Sequence, residues 1–128
     1  MTMANERILL VEDNPMNRRV AEFLLKNAGY VLYEAKDGEE ARELAEKHLP
    51  DLILMDLQLP GVDGLATTRA IRQNAATQKI PIVALTAYAM SDDKERAAEA
   101  GCDGFITKPI DPDEFTKTVA SFLRHRGQ

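Results

Sequence analysis

Five short runs of β-forming residues alternate with five segments of helical spacing, and this alternation most narrowly limits what the chain can fold into. Ile8 to Val11 is apolar without a break, and so is Leu52 to Met55. A strand that is apolar at every position must be covered on both faces, as happens inside a parallel sheet flanked by helices. Each intervening segment is long enough to return the chain to the same end of the sheet through a helical crossover. The pattern predicts an α/β fold of five βα units.

Local signals set the element ends. Asn14-Pro15 combines an N-cap with proline at the first helical position, so a helix begins there. Met16, Val20, Phe23, Leu24 and Ala28 keep helical spacing along it, and Gly29 supplies a left-handed stop. Tyr30 to Ala35 is a more weakly apolar run, as suits an edge strand. Asp37 caps a second helix through Lys47, with Glu39 and Glu40 in the first turn and Lys47 and His48 in the last, matching the helix dipole. Leu52 to Met55 should be central, and Leu57 to Gly64, with Pro60, Gly61 and Gly64, reads as a loop. A helix over Leu65 to Asn74, a strand over Pro81 to Leu85, a helix from Ser91 to Gly101 and a short strand over Phe105 to Thr107 follow. Asp111-Pro112-Asp113-Glu114 then forms a capping box for a last helix, which reaches about Arg124.

In a parallel sheet, side chains just past the strands' carboxyl ends converge on one edge. Those positions are Glu12 and Asp13 after the first run, Asp56 after the third, Thr86 after the fourth and Lys108 after the fifth. Three carboxylates brought together repel one another unless a cation joins them, and an all-oxygen site with room for water and phosphate suits magnesium. The pocket reads as a phosphoryl acceptor. Singly, each residue has a plainer reading as a solvated acid, a surface lysine or a strand-end hydroxyl; the combination carries the argument.

Composition removes other classes. A net charge of −5 argues against a face that binds nucleic acid directly, because phosphate contacts need clustered lysine and arginine. Cys102 is the only cysteine, so an intramolecular disulfide is impossible and neither a zinc cluster nor a CxxC redox pair can be built. No apolar stretch approaches the length of a membrane span, and Met1 to Arg7 lacks the features of a secretory signal. A soluble, cytoplasmic protein with no membrane partner is the expectation. Cys102, His48 and His125 are assigned to structure or solvent.

With the acidic pair after the first strand, LMD at the third, LTA at the fourth and TKP at the fifth, all in order, the chain resembles the receiver domain of two-component response regulators over nearly its whole length. The LTAYAM segment is similar both to receivers of hybrid kinases and to single-domain cell-division regulators of the DivK type. The resemblance implies a flavodoxin-like (βα)5 three-layer sandwich with a parallel five-stranded sheet in the order 2-1-3-4-5. Residues 1–128 would then form one receiver domain, its core about 6–125, with no effector domain.

The same resemblance implies roles. Asp56 would attack the phosphorus of a phosphohistidine borne by a histidine kinase or histidine phosphotransfer protein. Glu12, Asp13, Asp56 and the backbone carbonyl of Gln58 would hold Mg2+, while Lys108 and Thr86 would each contact a phosphoryl oxygen. A cis peptide between Lys108 and Pro109 is implied as well. Thr86 and Phe105 would form the switch: Thr86 moves toward the phosphoryl group and the aromatic ring turns inward behind it, reshaping the α4-β5-α5 face for a downstream protein. Phe105 stands where many relatives carry tyrosine, so its switching would rest on packing alone; its plainer reading is core. Gln58 and Tyr88 would modulate phosphoryl loss, and Met90 and Pro109 lie near the pocket rim. The protein would be a monomer or a phosphorylation-dependent dimer.

A stand-alone receiver is the leading reading, because Met1 and a short tail frame the domain; the alternative is a module of a hybrid histidine kinase or a phosphorelay intermediate. In either case it is a switch that assists its own phosphorylation and dephosphorylation, not a turnover enzyme. A haloacid-dehalogenase-like phosphatase would need a second acid two positions after the nucleophile, where this chain has Gln58. A flavodoxin would have to cradle a phosphate on its first loop, and Glu12-Asp13-Asn14 would repel one.

Overall fold

The computed structural model describes residues 6–57, 64–87 and 91–126, with 91–93 and 124–126 in backbone only. The elements are β1 (Arg7–Val11), α1 (Pro15–Asn27), β2 (Val31–Ala35), α2 (Gly38–His48), β3 (Leu52–Asp56), α3 (Gly64–Gln73), β4 (Ile82–Thr86), α4 (Ser91–Ala100), β5 (Gly104–Thr107) and α5 (Pro112–Arg126). The strands form one parallel sheet in the order β2-β1-β3-β4-β5. The flavodoxin-like architecture and strand order are therefore as the resemblance implied. β3 and β4 are buried at every position, whereas the edge strand β2 is only partly covered.

Strand periodicity divides the apolar residues between two cores. Ile8, Leu10, Leu52, Leu54, Val83 and Leu85 face one side, against Ala21 and Leu25 of α1 and Phe115, Val119 and Leu123 of α5. Leu9, Val11, Ile53, Met55 and Ile82 face the other, against Ala41 and Ala45 of α2 and Ile71 of α3. A residue step of one changes the face, so each continuous apolar run serves both layers.

The caps form as their residues dictate. Asn14 accepts from the N–H groups of Met16 and Asn17, each at 3.0 Å, and Asp37 accepts from Glu40 N at 2.8 Å. Asp111 accepts from Asp113 N at 3.0 Å, opening α5. Gly29 adopts φ 94°, ending α1 in the left-handed region.

Three features depart from the local reading or lie beyond it. Three apolar residues that keep helical spacing along α1 lie away from the core: Met16 is 76% exposed and Phe23 68%, and Val20 is exposed as well, while Ala21 and Leu25 are buried. The helix packs on the sheet along its Ala21–Leu25 side, and Leu24 is only partly covered. At the end of α2, Leu49 takes φ 48° without being glycine. Arg7 crosses from β1 to satisfy this terminus, donating to His48 O at 2.6 Å and Leu49 O at 2.9 Å. Arg72 ties α3 to the α4-β5 turn, donating to Ile80 O at 2.6 Å and Gly101 O at 2.9 Å and pairing with Asp103 at 2.8 Å.

Candidate functional site

The carboxyl edge of the sheet gathers the acids that the strand ends predicted. Glu12 and Asp13 follow β1 directly, and Asp56 is the last residue of β3, the strand beside it. Glu12 and Asp56 are each 1% exposed, whereas Asp13 is open to solvent. One carboxylate oxygen from each of the three lies within 4.8 Å of the others. Hard oxygen donors at this spacing, two buried and one open, fit a small divalent cation such as magnesium.

Lys108, just past β5, reaches into this cluster. Its Nζ lies 3.0 Å from Asp56 Oδ2 and 3.2 Å from Glu12 Oε1, bridging the two buried acids. The Lys108-Pro109 peptide bond is cis, and the Lys108 N–H donates to Thr86 O at 2.7 Å, fastening this turn to the end of β4. Thr86 is the last residue of β4 and is 3% exposed, next in register after the Asp56–Leu85 pair. The hydroxyl-bearing residue therefore stands on the strand adjoining that of the acid.

Glu12 carries the electrical tension of the pocket. Burial first, then the neighbouring Asp56 carboxylate, push its carboxyl up to about 7, against the pull of Lys108 and of the Asn14 N–H. The Asn14 N–H donates to Glu12 Oε2 at 3.2 Å, but buried Oε1 has no hydrogen-bond partner among the described residues and meets Lys108 only as an ion pair. A buried acceptor oxygen left without a hydrogen bond is what an added cation or its water would relieve.

Phe105, the aromatic residue of β5, is 36% exposed and lies outward. Gln58, Tyr88 and Met90 fall outside the described residues. Arg18 is a contributor the sequence reading missed: from α1 it donates to the Glu12 backbone carbonyl at 3.3 Å and pairs with Glu34 at 3.7 Å. Its place one turn into α1, on the side of the acidic loop, was the available signal.

A parallel five-stranded sheet with an acid cluster at its carboxyl edge, bridged by a lysine after the last strand, defines a class. The sequence matches the response regulator receiver domain over residues 8–120, and the chain belongs to that family. It is a receiver of two-component signalling. The Polar-differentiation response regulator DivK of Brucella anthropi is 41% identical over 116 residues, covering 91% of this chain and 94% of that protein, and DivK of Brucella ovis matches to the same extent. Among solved structures, the receiver domain of a sensor histidine kinase from Pseudomonas aeruginosa PAO1 has a TM-score of 0.87 at 39% identity, covering 94% of this chain and 98% of that one. That structure has a magnesium ion coordinated in its active site cleft. A chemotaxis response regulator of Vibrio cholerae superposes with a TM-score of 0.87 at 30% identity, covering 94% of this chain and 99% of that one.

Proposed function

We propose that this receiver is a phospho-acceptor switch in which Asp56 takes a phosphoryl group from a phosphohistidine of a histidine kinase or histidine phosphotransfer protein. The observation that carries this reading is the buried acid pair bridged by Lys108, with Asp56 Oδ2 3.0 Å from the ammonium. An Asp56 oxygen would attack phosphorus as the phosphorus–nitrogen bond of the donor breaks and its electron pair returns to the imidazole. Carboxylates are weak nucleophiles, so the reaction depends on positioning and on offsetting charge.

Glu12, Asp13 and Asp56 would hold magnesium, with the Gln58 carbonyl as a further ligand. Bound there, the ion would supply the positive charge that lets an anionic phosphoryl group approach three carboxylates. Lys108 would exchange its contact with Asp56 for one with a phosphoryl oxygen, and Thr86 would donate to another. The domain thus assists its own phosphorylation and dephosphorylation, with Gln58 and Tyr88 modulating the loss of phosphate.

The added group carries roughly −1.5 to −2 charges, which draws the Thr86 hydroxyl toward it. Phe105 then turns inward behind Thr86, and the face made by α4, β5 and α5 changes shape for a downstream protein, or for a second copy. The exposed strip of α1 supports a protein donor: Met16, Val20 and Phe23, with Asn14, Pro15 and Pro112, line an apolar groove that starts at the residue after Asp13. Among the described residues no helix is long and apolar enough to cross a membrane.

Intact-mass spectrometry after incubation with acetyl phosphate tests the assignment. One phosphoryl adduct that requires both magnesium and Asp56 is expected, and Asp56→Asn should carry none. Labelling that survives Asp56→Asn would overturn the choice of acceptor.

A further inference from the structure

Phe105 has a contact that the switch described above does not use. Along β5, Gly104 and Ile106 face α5: a Cβ at Gly104 would strike the Phe122 ring, and Ile106 packs on the cluster containing Phe115 and Val119. Phe105 therefore projects from the other face of the sheet, toward α4. There the Lys94 ammonium lies over its ring, 4.6 Å from the centroid. This is within the range in which the electron-rich ring face attracts a cation.

Of the described side chains of α4, Lys94 to Ala100, only Ala97 and Ala100 are buried, and each contributes a single methyl. Lys94 lies three residues before Ala97, on the same side of the helix, so its stem starts at the edge of the packed face. The ring has no hydroxyl with which to hold its outward position through a hydrogen bond. Among the described residues, the Lys94 cation over its face is a polar contact that holds it there.

We propose that Lys94 is a latch for Phe105: its ammonium holds the ring outward in the unphosphorylated receiver, and switching must break that contact. The inference rests on the reading of Phe105 as the switch aromatic and adds the residue that sets its resting position. A latch lowers the population of the inward state before any ligand binds, and the apparent affinity for an activating ligand falls by the same factor. An exposed cation over an aromatic ring shifts such an equilibrium about two- to five-fold.

The probe is beryllofluoride with magnesium, titrated while the aromatic NMR signals of Phe105 are followed, in wild type, Lys94→Met and Lys94→Arg. Methionine keeps the length of the stem and loses the charge. Lys94→Met should shift the Phe105 signals of the unliganded protein toward their liganded positions and tighten beryllofluoride binding about two- to five-fold. Lys94→Arg should behave as wild type, and in a Phe105→Leu background Lys94→Met should change nothing. A wild type whose Phe105 responds to beryllofluoride while Lys94→Met binds no tighter would overturn the latch alone. A wild type whose Phe105 ring ignores saturating beryllofluoride would overturn the switch reading beneath it.

Discussion

Replacing Glu12 by glutamine tests the electrostatics of the pocket without touching Asp56, the proposed acceptor. In the unfolded chain this carboxyl has its ordinary value of 4.5, and in the fold burial and Asp56 push it up to about 7. Its folded value is the higher one, so the native state binds the proton more tightly than the unfolded chain does. The resulting stability is fully present below 4.5 and is lost as pH rises through 7. Each pH unit of that window is worth up to about 1.4 kcal/mol, which sets a ceiling of about 3.5 kcal/mol for the whole effect. The glutamine of the variant cannot ionise, yet it keeps an oxygen for the Asn14 N–H.

Urea unfolding of both proteins in EDTA, at several pH values, reads the difference directly. At about pH 4 the two should be alike, and by about pH 8 Glu12→Gln should be more stable by about 3 kcal/mol. Subtracting one curve from the other removes the titration of more distant groups, among them Glu34, whose carboxyl is also raised, chiefly by burial. Saturating magnesium should then return stability to the wild type at alkaline pH, because metal binding favours the ionised carboxylate and releases its proton. A stability difference independent of pH would refute the reasoning: it would mean that Lys108 fully offsets the burial of Glu12.

Three further outcomes follow from particular contacts. Lys108→Ala leaves Glu12 and Asp56 buried without their shared cation, so the metal-free protein should lose about 3 kcal/mol and recover part of it with magnesium; equal unfolding midpoints in EDTA would contradict this, and the variant should still accept phosphate while its output shift weakens. Gly64→Ala would drive a Cβ into the Asp56 carbonyl oxygen and to 2.8 Å from Leu57 Cα, which forces backbone movement at the proposed acceptor and should cost about 2 kcal/mol or more, together with slower labelling by acetyl phosphate; a fully stable, fully active variant would count against that close approach. Arg72→Ala should lower stability by about 2 kcal/mol in urea unfolding, and Arg72→Lys should not restore it, because an ammonium cannot reach Ile80 O, Gly101 O and Asp103 together; full rescue by lysine would show that charge alone matters there.

Much of this molecule was legible in its sequence because the signals act over a few residues. An N-cap such as Asn14 or Asp111, a proline after it, or Gly29 at φ 94° acts on backbone groups within one turn. Apolar runs the length of a strand announce two-sided burial by themselves, and the polar residue that ends each run must then lie at the sheet edge. The positions of Glu12, Asp13, Asp56, Thr86 and Lys108 followed from that rule; the strand order came from family resemblance.

Tertiary structure decided what depends on distant partners. Spacing identified α1 as a helix but could not set its rotation about its own axis. Packing on the sheet turned Ala21 and Leu25 inward and left Met16 and Phe23 outside. The left-handed turn at Leu49 is accompanied by the Arg7 guanidinium, 42 residues away in sequence, bonding to its carbonyl. The bridge of Lys108 between two buried acids and the seat of Lys94 over Phe105 likewise join separate elements. Backbone conformation is governed largely by near neighbours, whereas burial, ion pairing and the proton held by Glu12 are properties of surroundings that exist only once the chain has folded.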